Sequence, residues 1–166
     1  MSGELIVLRV LHIVAGAMWV GTAVFMTLVL EPVLRGSGPE VAKAIGPKLW
    51  RRMTALMHGS ALTTIVFGMF LIARTTGRGF DQLFLSAWGW AIGLGMITAV
   101  GGYGCGITSG LALKKAIDIS TGIQGPPPPE TIAQITALRG RNRMFLRIAT
   151  VLIILSVGTM ASARYV

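Results

Sequence analysis

The sequence predicts an all-α integral membrane protein, a four-helix transmembrane bundle occupying residues 1–166 as a single domain. Three observations carry this prediction. Hydrophobic residues make up 53% of the 166-residue chain and charged residues only 13%, a balance far from that of soluble domains. Mean hydropathy is +0.72, spread along the whole length rather than gathered at one end. Four long apolar runs suit the ~30 Å hydrocarbon core, and no strand-period alternation competes with them. The lipid bilayer is therefore the first partner implied.

The first run, residues 5–30, would rise roughly 39 Å as a helix, so it must tilt or protrude. It is about twice the length of a signal-peptide core and lacks a clear small-x-small cleavage site, and it is expected to stay as a helix. The second run, residues 53–73, follows Pro47, which suits the first turn of an amphipathic lead-in, and stops at Arg74 before Thr75, Thr76 and Gly77. The third and fourth runs cover residues 83–113 and 144–163. Between them, residues 114–143 form a Pro-rich connection in which Gly125 and Pro126 to Pro129 predict a short polyproline spacer. After it, Ile132, Ile135 and Leu138 recur every three residues. That spacing fits either an amphipathic turn or two at the interface or a lead-in to the fourth helix.

Basic residues predict the orientation. Arg35, Lys43, Lys48, Arg51 and Arg52 fill the first connection, and Lys114, Lys115, Arg139, Arg141 and Arg143 fill the third. The second connection holds only Arg74 and Arg78, the amino-terminal side Arg9 and the carboxy terminus Arg164. By the positive-inside rule the basic connections are cytoplasmic and both termini lie outside, as in a bacterial inner membrane. The net charge of +9 then reflects topology and attraction to anionic headgroups, and calls for no nucleic acid.

The single cysteine, Cys105, excludes an intrachain disulfide and any CxxC motif. Phosphate-binding loops, zinc-protease motifs and catalytic triads have no match, and the six acidic residues lie in loops or at span ends, which disfavours an ion-coupled pump. The chemical signal is the pair of histidines, His12 and His58, both inside predicted spans. An ionisable side chain in hydrocarbon is costly, and imidazole ligates haem iron and copper. The alternative is a histidine that hydrogen-bonds a neighbouring helix. If Glu31 and Arg51 mark one level, His12 stands roughly 28 Å and His58 about 10 Å above it, too far apart to share an iron. They are expected to form separate metal sites, or only one forms any.

Gly16 lies one turn after His12 and Trp19 two turns after, so the three share a face on which the glycine would leave room for a flat ligand. At the same level stand Trp88, Trp90, Met96 and Met160, and near His58 stand Met26, Tyr103 and Cys105. Interfacial tryptophans and packing methionines are the ordinary use of such residues. The third helix is rich in glycine, with small-residue ladders at Gly89 and Gly93 and at Gly102, Gly106 and Gly110, suited to close helix packing or to a planar cofactor.

LHIVAGAMWVG in the first run, RRM before the second, a Trp-led third run ending in YGCG, and RGRNRMFLRIA entering the fourth give a layout that resembles the HemJ-type membrane protoporphyrinogen oxidases and the related CopD-like four-helix proteins. The resemblance extends over the whole chain. It implies a haem b cofactor, with His12 as its axial ligand and Trp19 as the tryptophan that follows. HemJ proteins also carry a functional lysine just after the leading tryptophan of the third helix, where this chain reads WGWAIGLGM without one. His58 has no counterpart in that family.

The resulting expectation is a haem b-binding protein in electron transfer, or a small subunit of a larger membrane redox complex. Alternatives are a HemJ-like oxidase, a copper-handling CopD-like protein using His12, His58 and methionine sulfurs, and a scaffold subunit without cofactor. A membrane-protein partner or a homo-oligomer is expected in each case.

Overall fold

A computed structural model describes residues 3–75 and 79–166, apart from the side chains of Pro39 and Ala42. Thr76, Gly77 and Arg78, which entered the reading of the second connection, lie outside the described residues. The chain is all-α, and four apolar helical stretches are long enough to cross a membrane: Gly3–Gly36, Lys43–Arg74, Ala87–Gly122 and Pro129–Ser162. At 32 to 36 residues each, they rise roughly 48–54 Å and outreach the ~30 Å hydrocarbon core.

The first stretch comprises α1 (Gly3–Phe25), a π-helical turn over Met26–Leu30, and α2 (Glu31–Gly36). The widened turn sits just before Pro32, whose ring would clash with the Leu28 carbonyl in a regular helix. Glu31 donates its N–H five residues back, to the Met26 carbonyl. Ser37 closes α2 by donating both its backbone N–H and its hydroxyl to the Val33 carbonyl, at 3.0 and 2.8 Å. Gly38, at φ 84°, then reverses the chain into α3 (Gly38–Arg74). Glycine adopts that left-handed geometry without strain.

The second helix thus begins well before residue 53, and Pro47 lies inside it rather than in a separate lead-in. The third, α4 (Ala87–Gly122), starts four residues later than expected and runs nine further, while the fourth, α5 (Pro129–Ser162), starts fifteen residues earlier. Only residues 123–128 connect them, not 114–143. Hydropathy marks where lipid ends, whereas helix ends depend on backbone bonds. The i,i+4 pair of Lys114 and Asp118, 2.6 Å apart, carries α4 onward past the apolar stretch. Pro128, at φ −60°, ψ 150°, has the predicted polyproline geometry, whereas Gly125, at φ 89°, turns the chain, and Pro129, expected in the spacer, instead opens α5, where a missing N–H costs nothing. The Ile132 to Leu138 segment is a lead-in continuous with α5.

The helices alternate in direction. α1 packs on α3 and α4 on α5, while α3 against α4 and α1 against α5 close the ring. All four spanning helices meet in a core of Trp19, Ala23, Ala61, Ala99 and Ile153. Glycine sets the α4–α5 distance: a β-carbon at Gly102 would come 2.9 Å from Ile153 Cγ1 and 3.2 Å from the Ala149 carbonyl oxygen. Gly89 and Gly93 serve another purpose. Their side-chain space is taken by Gln82 and Phe84, so the loop before α4 folds down onto the helix. Gly106 and Gly110 meet no neighbour within 4 Å.

Polar groups between the helices pair with one another, as a bilayer requires. Ser109 donates its hydroxyl to the backbone carbonyl of Asn142 at 3.1 Å, and the Asn142 side-chain amide donates to Ser109 Oγ at 2.7 Å and to the Ser109 backbone carbonyl at 3.1 Å. Ser156 donates to the Gly95 carbonyl at 2.8 Å, and Thr27 and Thr150 share a 2.7 Å hydroxyl bond. Among the described residues no buried side-chain nitrogen or oxygen lacks a partner. Ion pairs mark the two ends. Arg74 meets Glu4 at 3.0 Å beside the termini, and Arg143 meets Glu31 at 3.8 Å at the opposite, basic end.

Candidate functional site

Helical spacing on α1 aims His12, Gly16 and Trp19 toward the bundle, and the structure gives each a different setting. His12 is half-buried, with its Nδ1 2.8 Å from the backbone carbonyl oxygen of Thr64 on α3. A carbonyl only accepts, so Nδ1 carries the proton, and in the neutral ring Nε2 is left with its lone pair. The imidazole lies in a notch at Gly68, where a β-carbon would stand 2.9 Å from Cε1 and 3.0 Å from Nδ1. Thr64 turns its own hydroxyl to the Ser60 carbonyl, 2.8 Å away.

Gly16 is half-buried, and a β-carbon there would stand in ordinary contact with Thr64 Cγ2, at 3.5 Å, so α3 passes close to α1 at this level. Trp19, only 3% exposed, is a core residue whose ring meets Tyr103 edge-on at 6.1 Å. Tyr103 links onward: its hydroxyl is 3.0 Å from His58 Nδ1, and the two rings stand edge-on at 5.5 Å. Trp19, Tyr103 and His58 thus join α1, α4 and α3 through the middle of the bundle.

The two imidazoles do not converge. His58 precedes the Thr64–Gly68 notch by six to ten residues on α3, which separates the two by roughly 9–15 Å along the axis. That is somewhat less than the sequence estimate, because α1 and α3 are offset along their axes relative to the Glu31–Arg51 alignment. Of the other sulfur and aromatic candidates, Met160 fills the α4–α5 seam against Gly95, and Trp90 stacks edge-on with Phe84 at 5.0 Å. Met26 falls in the π turn. Cys105 is half-buried with a free thiol, two positions and so about 200° around α4 from Tyr103. No group of three or more His, Cys, Asp or Glu side chains placed to hold a metal occurs among the described residues.

Sequence reasoning named both histidines and placed Tyr103 near His58, but it missed Thr64 and Gly68. Ser60, Thr64 and Gly68 form a small-residue ladder at four-residue spacing on α3, the pattern that lets helices approach closely. That ladder was the available signal for the α1–α3 seam. Arg147, which stands one turn beyond Arg143 at the basic end, also went uncounted. Comparison of the chain with protein-family models, curated proteins and solved structures finds no match to any of them.

Proposed function

We propose that this chain is a haem b-binding membrane protein working in electron transfer, alone or as a small subunit of a larger redox complex, with His12 as an axial ligand. The observation that carries the proposal is the Nδ1 hydrogen bond from His12 to the Thr64 carbonyl. Metal-bound histidines characteristically donate their second ring nitrogen to a carbonyl or carboxylate, which fixes the tautomer and makes the other nitrogen a better donor. Gly68 holds the ring against α3 and restricts its rotation. Haem bound there would supply a one-electron carrier whose potential is tuned by its axial ligand and burial. The chain's own contribution is to fix the ring's tautomer and orientation, which leaves the Nε2 lone pair as the ligand atom.

The resemblance to HemJ-type and CopD-like proteins supports the haem b assignment through His12 and Trp19. The HemJ activity itself receives less support. WGWAIGLGM forms the first turns of α4 without a lysine, and its Gly89 and Gly93 are covered by the preceding loop. His58, engaged with Tyr103, is read as an interhelical tie. Orientation follows the basic residues, with the Lys- and Arg-rich end on the cytoplasmic side of a bacterial inner membrane and both termini outside. A Gly125→Cys, Cys105→Ser variant should then resist impermeant thiol reagents in intact cells, and ready labelling would reverse the assignment.

The absorption spectrum of protein purified from haem-replete cells tests the main proposal. A Soret band is expected for the wild type and for His58→Ala, and its loss is expected in His12→Ala. Colourless wild-type protein, or an unchanged band in a folded His12→Ala variant, would remove the haem reading.

A further inference from the structure

A cleft of about 450 Å³ opens at the basic end of the bundle, between α2 and α5. Its lining is Arg35, Gly140, Arg143, Met144, Arg147 and Ile148. Three arginines therefore line one small space. Among the described residues Glu31, with its side chain only 18% exposed, pairs with Arg143, at 3.8 Å. Arg143 and Arg147 are four residues apart on the same helical face, a spacing at which like charges repel. An anion between them and Arg35 would remove that repulsion, and guanidinium forks match the oxygens of a phosphate.

The rest of the lining narrows the choice of anion. Gly140 provides the opening, since a β-carbon there would meet nothing within 4 Å. Met144 and Ile148, 53% and 41% exposed, form an apolar floor between the arginines. Below them Val151 and Leu155 continue the same helical stripe and are also exposed. Arg147 lies one turn, about 6 Å, deeper than Arg143, where the apolar run of α5 begins. A free phosphate would answer the arginines and leave the stripe bare. A molecule with a phosphate above and hydrocarbon below answers both.

We propose that this cleft is a specific site for an anionic phospholipid, its phosphate held by Arg35, Arg143 and Arg147 and an acyl chain lying along Met144, Ile148, Val151 and Leu155. Basic recesses between membrane helices recognise acidic headgroups in this way. The site is distant from His12 and does not depend on haem.

Thermal unfolding of the purified chain in detergent, with phosphatidylglycerol, phosphatidylcholine or inorganic phosphate added, tests this. Phosphatidylglycerol should raise the midpoint at a concentration at least about tenfold below phosphatidylcholine, since both lipids carry a phosphate but only phosphatidylcholine brings a quaternary ammonium against the three arginines. Two variants should abolish the preference by separate routes: Arg35→Gln with Arg147→Gln removes charge, and Gly140→Leu fills the cleft while keeping every arginine. Neither should change the Soret band. Equal responses to the two lipids, an undiminished preference in both variants, or the same shift from inorganic phosphate alone would overturn the assignment.

Discussion

At Gly68 a single methyl group would stand 2.9 Å from the His12 ring, so Gly68→Ala must displace the imidazole or part α1 from α3. Overpacking of this kind costs about 1–3 kcal/mol. The variant should unfold at lower temperature and lose or shift its Soret band, whereas Gly59→Ala, on the same helix with no neighbour within 4 Å, should do neither. An unaltered spectrum in folded Gly68→Ala would show that the notch does not position the ligand. His12 itself was legible in the sequence because an imidazole among apolar residues stands out. Its partners were not, because Thr64 and Gly68 are ordinary residues in a lipid-soluble helix, and nothing in hydropathy says which face of α3 meets α1. Trp19 shows the same limit: its spacing from His12 places it on the same face, yet two turns bring it from a histidine notch into the middle of the core.

The contact between α4 and α5 is fastened at two depths, by Ser156 on the Gly95 carbonyl and by the reciprocal Ser109–Asn142 bonds. Asn142→Leu would strip the Ser109 hydroxyl and carbonyl of the side-chain amide that donates to both, leaving only the bond from the Ser109 hydroxyl to the backbone carbonyl of residue 142. Such interhelical bonds in membranes are worth about 0.6–2 kcal/mol, so the midpoint of denaturant unfolding should fall by a corresponding amount while the haem spectrum stays as it was. No loss of stability would show that water or lipid replaces the bond. Apolar runs located all four helices, and the polyproline spacer emerged from its glycine and prolines alone. Helix ends were misjudged wherever charged residues continue a helix into the interface, as at Lys114–Asp118 and through residues 129–143 of α5. Their charges leave the apolar signal without breaking the hydrogen-bond ladder, since Lys, Arg, Glu and Gln are good helix formers.

For the molecule as a whole, the ring of four helices keeps two separate regions of polar chemistry. His12 belongs to the half near the termini, and the arginine cleft to the opposite end. Both depend on the first helical stretch facing the correct way at each of its ends, although those ends are separated by the π turn at Met26–Leu30. Such a turn holds one residue more than an α-helical turn, so it is the place where the rod can lose a residue without being re-aimed. Deleting Leu28 together with Pro32→Ala, which removes the ring that would otherwise meet the Thr27 carbonyl, should let the backbone close into continuous α-helix, with His12 still toward Gly68 and Glu31 still toward Arg143, and the Soret band retained. Deleting Val20 instead would turn one part of the rod by about 100° against the other, and that variant should fail to hold haem. The widened turn thus acts as a spare tooth in the gearing between the two ends.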